Sequence, residues 1–206
     1  MLYRFFKRLI DIVVGLIGVI LLVPITIVIK IAYMCTGDFN SVFFAQERIG
    51  RGGKLFKIIK YRTMVMDAEE KLEEMMAKNP KVKAEYELNK KLKDDPRITK
   101  VGKVLRRFSI DEMPQFLNVL VGQMALVGNR PYLPREKREM GKHYEAIVKT
   151  RPGITGLWQV SGHNEVSFKG RVELEATYSV IMSPAVDLRI ILQTFRAVFW
   201  KDTKRV

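Results

Sequence analysis

The sequence predicts an α+β protein. It is mostly helical, with a small β-hairpin, an N-terminal re-entrant membrane helix-break-helix and interfacial amphipathic helices. Three observations predict this. Residues 12–29 form an uncharged, mostly aliphatic run interrupted by Pro24. Residues 42–62 hold two strand-like runs, VFFAQERI and KLFKIIKYR, around Gly50-Arg51-Gly52-Gly53, as in a hairpin. Much of the remainder spaces its apolar residues at helical intervals. The 206 residues are enough for one medium domain plus one accessory element. The accessory element is predicted as residues 1–35, a membrane-embedded helical hairpin broken at Pro24. Residues 36–206 form a cytosolic domain at the membrane interface.

The apolar run is at the lower edge of what spans a bilayer, and no small-residue cleavage site follows it. Arg4, Lys7 and Arg8 precede it and Lys30 follows it. Basic flanks favour the cytoplasmic face, so a straight span satisfies only one flank. A hairpin that enters and leaves by one leaflet satisfies both, with Pro24 as the break. An ordinary single span is the alternative.

In the second hairpin strand, Lys57, Lys60 and Arg62 lie among apolar residues. They read either as a solvated strand face or as a basic wall for phosphates. Residues 66–93, rich in Glu, Lys, Met and Ala, read as one or two exposed helices. Asp94-Asp95-Pro96-Arg97 reads as a turn.

Residues 106–131, RRFSIDEMPQFLNVLVGQMALVGNRP, hold the chemistry. Ser109 and Glu112 have capping-box spacing, and Ile110, Met113, Phe116, Leu117 and Leu120 recur at helical intervals. Asp111 and Glu112 then sit in a first helical turn. One reading is helix-dipole stabilisation of two acidic residues. The other is chemical. A carboxylate at a helix start beside Arg106 and Arg107 is expected to keep a low pKa. Ionised, it can attack phosphorus, while its neighbour can hold a divalent cation. Gly128-Asn129-Arg130-Pro131 forms a stiff loop able to aim a guanidinium at phosphate. Arg151-Pro152-Gly153-Ile154-Thr155-Gly156 is a second stiff loop, before Trp158, which reads as a core or base-stacking aromatic. Glu173 and Glu175 fall on a helix ending near Tyr178. Residues 187–201 place Leu188, Ile191, Leu192, Phe195, Val198 and Phe199 on one stripe, with Trp200 near its end. That suits an interfacial helix or one docked on the core.

The formal net charge of +14 implies an anionic partner: nucleic acid, acidic lipid or a phosphorylated substrate. One cysteine, Cys35, excludes an internal disulfide framework and a CxxC zinc site. His143 and His163 show no metal-ligand spacing.

Taken in order, these segments resemble the bacterial sugar transferases, the monotopic phosphoglycosyl transferases of membrane glycoconjugate pathways. The resemblance is carried by the apolar hairpin with its proline, VFFAQERIGRGGKLFKIIKYRTM, DDPRITKVGKVLRRFSIDEMPQFLNVLVGQMALVGNRP, RPGITGLWQV and DLRIILQTF. It covers nearly the whole chain and is to the small form that lacks a multi-span N-terminal region. It implies transfer of a sugar-1-phosphate from a UDP-sugar to polyprenyl (undecaprenyl) phosphate with release of UMP. That would be the first membrane step of exopolysaccharide, capsule, O-antigen or glycoprotein glycan synthesis, at the cytoplasmic face of the bacterial cell membrane. By the resemblance Asp111 is the nucleophile and Glu112, with Asp111, belongs to a Mg2+ site. Arg106 and Arg130 bind substrate phosphate, a role that Lys60 and Arg62 share in the basic-wall reading. The partners implied are the UDP-sugar, the polyprenyl phosphate and a phospholipid membrane, with no nucleic acid. Asn129 stands where the family motif more often has proline, which is expected to loosen that loop. Val23 stands where small members commonly have serine, which removes a hydroxyl near the break. The alternatives are a membrane-anchored basic adaptor without catalysis, and a transferase in which the lipid phosphate attacks directly.

Overall fold

The structure is a computed structural model that describes residues 2–89, 92–161 and 166–199. One long helix, α1 (Leu2–Cys35), leads into a β-hairpin of β1 (Phe43–Ile49) and β2 (Leu55–Tyr61). Helices α2 (Ala68–Lys78), α3 (Pro80–Asn89), α4 (Lys100–Arg107) and α5 (Gln115–Leu120) follow. The short strand β3 (Ala125–Val127) precedes α6 (Lys137–Met140) and α7 (Tyr144–Val148), and pairs with β4 (Gly153–Thr155). Helices α8 (Leu157–Val160), α9 (Phe168–Ile181) and α10 (Pro184–Phe199) complete the described fold. The helical content and the small antiparallel hairpin are those predicted. The hairpin pairs Phe44 with Lys60 and Arg48 with Phe56, so the side chains of Arg48 and Lys60 share a face. The parallel β3–β4 contact, Ala125 to Gly153 and Val127 to Thr155, is an element absent from the sequence reading.

Helix α1 is 34 residues long and therefore about 51 Å at 1.5 Å per residue. It is long and apolar enough to cross a membrane. A break was expected at Pro24, yet the helix assignment runs through it. A proline removes one ladder hydrogen bond and bends a helix without having to end it. The body meets the helix on both sides of the proline: the Tyr61 hydroxyl contacts the Thr26 hydroxyl (2.6 Å) and the Leu22 carbonyl (3.5 Å). A hydroxyl thus stands near the proline although Val23 offers none.

One stripe of α1 faces the body over its whole length: Asp11, Gly15, Gly18, Leu22, Ile29 and Tyr33 are buried. Near its start, Tyr3 donates to Asp187 of α10 (2.8 Å), and Lys7 pairs with the same carboxylate. Arg8 donates to the carbonyls of Val119 and Leu120 (2.7 and 2.9 Å), and Asp11 accepts from the Leu126 N–H (2.9 Å). Near its end, the Tyr33 hydroxyl donates to the Arg62 carbonyl. At Gly18 the helix lies so close to α5 that a Cβ would fall 2.4 Å from Phe116 Cγ. The opposite face, from Phe5 through Ile20 to Ile31, is exposed and apolar. Under the stripe, Leu22, Ile29 and Tyr33 form one core with Val42, Tyr61 and Leu105.

Helix α10 is docked on the core along one face and exposes an apolar stripe on another. Ile190 and Asp187 are buried against the body, and Thr194 meets Thr155 (2.7 Å). Leu188, Leu192 and Phe195 form an exposed apolar stripe. Trp200, Lys201 and the side chains of Val198 and Phe199 lie outside the described residues.

Candidate active site

The segment carrying Asp111 is built differently from the predicted continuous helix. Helix α4 ends at Arg107, Ile110–Glu112 is a single 3-10 turn, and α5 starts only at Gln115. Ser109 makes no capping hydrogen bond; it adopts the left-handed conformation, φ 56°, ψ 23°. Among the described residues it is the one non-glycine position with positive φ. Such a conformation is uncommon outside glycine and is retained where the surroundings demand it. Here it reverses the chain so that Asp111 and Glu112 meet β2.

The capping box is thus a correction, and its electrostatic corollary falls with it. The Asp111 pKa is not low: it is pushed up to about 6. Burial is the main cause and repulsion by Glu112 the second, while Lys60 and Arg106 pull it down. A three-residue turn has almost no dipole to offer in compensation. Lys60 Nζ donates to Glu112 Oε1 (2.6 Å). Arg106, anchored by Nε to Thr63 Oγ1 (3.0 Å), has its own pKa lowered by burial, with Asp111 offsetting part of that. Lys60, Arg106, Asp111 and Glu112 therefore come together as the sequence indicated.

Arg62 does not join them. Its side chain is 5 % exposed and its donors are committed: to Asp38 (2.8 Å), the Ser41 carbonyl (2.8 Å) and the Met64 carbonyl (3.1 Å). The guanidinium also lies 4.5 Å from the Tyr33 ring centre. Arg62 lies one residue past the end of β2, so the strand's alternation, which would have put it on the Lys60 face, no longer sets its direction; its side chain goes to Asp38 and Ser41 instead. Arg62 joins α1 to the hairpin, and its assignment to substrate phosphate is corrected to a framework role.

Arg130 is held by the contact between the two stiff loops. Cβ atoms at Gly128 and Gly153 would fall 2.4 and 2.1 Å from backbone of the other loop, so only glycine permits the approach. Asn129 tightens its loop, contrary to the expectation: it is buried, and its amide lies 2.7 to 3.1 Å from Ser179 Oγ, Thr150 Oγ1 and the Ile147 carbonyl. The Arg130 N–H donates to Glu175 Oε2 (2.8 Å). Glu175 is fully buried on α9, and burial pushes its pKa up to about 8 against the pull of Arg130 and Arg171.

Around this point buried polar atoms accumulate. Among the described residues, Arg48 Nε, Arg130 Nε, Arg171 Nε, Tyr132 Oη, Gln159 Oε1 and Glu175 Oε1 meet no hydrogen-bond partner. Buried polar groups are otherwise satisfied in folded proteins, so their convergence marks a place for a polar ligand. Trp158 is buried, as the core reading had it, with the guanidinium groups of Arg171 and Arg130 at 4.1 and 5.4 Å from its ring centre. Arg48 connects the two halves of the site, since both Arg130 and Glu112 act on its charge.

Arg48, Arg171, Tyr132, Gln159 and the role of Glu175 escaped the sequence reading. Arg48 was recoverable, because hairpin register places it on the Lys60 face. The others depend on how α9 packs on the loops, which no local pattern carries. His163 lies outside the described residues. Among the described residues no group of three or more His, Cys, Asp or Glu is arranged to hold a metal ion. The Asp111–Glu112 pair nevertheless suits Mg2+, which commonly takes one or two carboxylates and completes its shell with water and substrate phosphate.

The family model for bacterial sugar transferases matches residues 2–201. The chain belongs to the bacterial sugar transferase family. It is 40% identical over 199 residues to the undecaprenyl-phosphate galactose phosphotransferase of Salmonella typhimurium, covering 97% of this chain and 41% of that protein. It is 40% identical over 192 residues to the exopolysaccharide production protein ExoY of Rhizobium meliloti, covering 93% and 84%. A third relative is the UDP-glucose:undecaprenyl-phosphate glucose-1-phosphate transferase of Klebsiella pneumoniae, 38% identical over 198 residues, covering 92% and 39%. The chain thus spans about two fifths of the length of the Salmonella and Klebsiella relatives. Residues 2–201, matched by the family model, include every residue of the site described above.

Proposed function

We propose that this chain is a phosphoglycosyl transferase that moves a sugar-1-phosphate from a UDP-sugar to polyprenyl phosphate through a covalent Asp111 intermediate. The observation that carries the proposal is a half-buried carboxylate, Asp111, beside Glu112, Lys60 and Arg106, in a family whose relatives bear phosphotransferase names.

In the first step an Asp111 carboxylate oxygen attacks the sugar-bearing phosphorus of the UDP-sugar. The phosphorus–oxygen bond to the uridine-side phosphate breaks, and UMP leaves with the bond electrons. In the second step an oxygen of polyprenyl phosphate attacks the same phosphorus. The bond between the Asp111 carboxylate oxygen and phosphorus breaks, the carboxylate is restored with the bond electrons, and a polyprenyl diphospho-sugar is released. Lys60 and Arg106 offset the repulsion between a carboxylate and a diphosphate. Desolvation makes the carboxylate a better nucleophile, and a pKa near 6 leaves about nine-tenths of it ionised at pH 7. Glu112, with Asp111, would hold Mg2+, which supplies neutralisation of the donor's phosphates when bound. Arg48, Arg130 and Arg171 offer guanidinium groups to the uridine-side phosphate, and the Gln159, Tyr132 and Glu175 oxygens offer polar contacts to the rest of the donor.

The membrane side of the reading rests on α1. It is tied to the body from Tyr3 to Tyr33, so no stretch near the roughly 20 residues of a span is free to leave it. Its exposed apolar face enters one leaflet and holds residues 36–206 as the catalytic domain at the cytoplasmic surface.

The decisive experiment is rapid-quench mixing of enzyme with UDP-sugar and magnesium, without lipid acceptor. The expected result is release of up to one UMP per site and a sugar-phosphate mass on the Asp111 peptide, discharged by polyprenyl phosphate. Asp111→Asn never acquires the mass. Sequential kinetics without burst or adduct would mean direct attack by the lipid phosphate.

A further inference from the structure

A second cationic cavity opens on the side of α5 away from the 3-10 turn that carries Asp111. Six cationic side chains line it: Arg4, Lys7 and Arg8 from α1, Arg51 from the hairpin turn, and Lys149 and Arg151 from the segment between α7 and β4. Asp11 is the one carboxylate in the lining, and it is already engaged by the Leu126 N–H (2.9 Å). The cavity holds about 70 Å³, several times the ~10–15 Å³ that a single water requires. None of Lys60, Arg106, Asp111, Glu112 or Arg130 lines it.

Part of this charge has a structural explanation. Arg8 donates to the carbonyls of Val119 and Leu120, and Arg151 Nε donates to the Gly122 carbonyl (2.9 Å). These contacts close the C-terminal end of α5. Lys7 is paired with Asp187. The contacts fix three cations in position. They do not explain why Arg4, Arg51 and Lys149, exposed and from three separate parts of the chain, converge on the same opening. The excess charge is felt inside: Arg151 has its pKa lowered by burial and by repulsion from Arg8 and Arg51.

The place of the cavity selects its occupant. Arg4, Lys7 and Arg8 belong to the helical turns whose other face exposes Phe5, Phe6 and Leu9 at 65%, 52% and 49%. A group in the cavity is therefore level with the boundary between apolar and polar phases, where lipid phosphates lie. We propose that this cavity is a binding site for the phosphate of an acidic membrane phospholipid, distinct from the site at Asp111. The exposed Arg4, Arg51 and Lys149 take the outer phosphate oxygens, and Arg8 and Arg151 form the fixed floor.

The test uses the full chain in neutral detergent and counts retained lipid by native mass spectrometry, a readout that does not depend on turnover. Phosphatidylglycerol, phosphatidylcholine and inorganic phosphate are the probes. One phosphatidylglycerol per chain should be retained in preference to phosphatidylcholine, and inorganic phosphate at equal concentration should not displace it. Arg51→Gln with Lys149→Gln should cut retention at least tenfold. Lys71→Gln with Lys78→Gln on exposed α2, which removes the same formal charge, should leave it unchanged. Equal losses in both pairs would reduce the effect to bulk charge and overturn the proposal, as would equal retention of the two lipids. Displacement by inorganic phosphate would overturn the lipid assignment.

Discussion

The pH dependence of the first half reaction separates the buried-carboxylate reading of Asp111 from that of an ordinary surface aspartate. With a pKa of about 6, Asp111 is about nine-tenths ionised at pH 7 and one-tenth at pH 5, because each pH unit is a factor of ten. Only the ionised form attacks, so the burst rate of UMP release should fall about tenfold between those values. An aspartate at its ordinary 3.8 would lose less than a tenth of its rate over the same range. The donor diphosphate carries no group that titrates there. The causes of the shift give two internal checks. Glu112 raises the Asp111 pKa, so Glu112→Gln should move the acid midpoint down. Lys60 lowers it, so Lys60→Gln should move the midpoint up, whatever either change does to the maximal rate. The assay is single-turnover quench at constant ionic strength from pH 4.5 to 8. A flat profile to pH 5, or midpoints that move together, would refute the electrostatic account.

Four further outcomes follow from the same geometry. Rigorous chelation should abolish transfer and Mg2+ should restore it, and full activity without the ion would remove Glu112 from metal binding. Arg62→Met removes a buried guanidinium from the partly exposed Asp38 and from two carbonyls at a cost of about 1.5–3 kcal/mol, which at ~2–4 °C per kcal/mol lowers Tm by about 3–12 °C. The KM for donor should stay unchanged in the folded fraction, and a raised KM at unchanged Tm would return Arg62 to the substrate. Gly18→Ala places a methyl against the Phe116 ring and should cost about 1–3 kcal/mol in thermal unfolding, largely relieved by Phe116→Leu; an unchanged Tm would contradict the close approach. Single cysteines at residues 2 to 5, in a Cys35→Ser background, should label only from the cytoplasmic side, and labelling from outside would make α1 an ordinary span.

The hairpin, the paired helices after it, the mixed class and the pairing of Asp111 with Glu112 were legible because they depend on period, turn chemistry and adjacency. The errors share a cause. The Ser109–Glu112 spacing indicates a cap only if the preceding backbone is extended, and α4 instead delivers the chain to Ser109 in a left-handed turn. The low Asp111 pKa was inferred from neighbouring arginines, but desolvation depends on enclosure in three dimensions and outweighs them. Arg62 was grouped with Lys60 by sequence distance, though it leaves the strand toward α1. Asn129 looked like a loss of stiffness beside proline, because its buried amide finds partners on α7 and α9 that lie up to fifty residues away.

The continuous attachment of α1 has a mechanical consequence. An enzyme joined to its anchor by a flexible linker samples a volume whose radius grows with linker length, and its catalytic groups meet the membrane at a low effective concentration. Here the distance from Pro24 to the Asp111 turn is set by stacked side chains, through Tyr61 and β2 to Lys60 and Glu112. The reactive carboxylate therefore rides at one fixed height. Under the proposed function, a lipid acceptor would reach it by lateral diffusion alone, and a polyprenol phosphate whose headgroup sat too deep or too shallow would be rejected by elevation before any side chain read its chemistry.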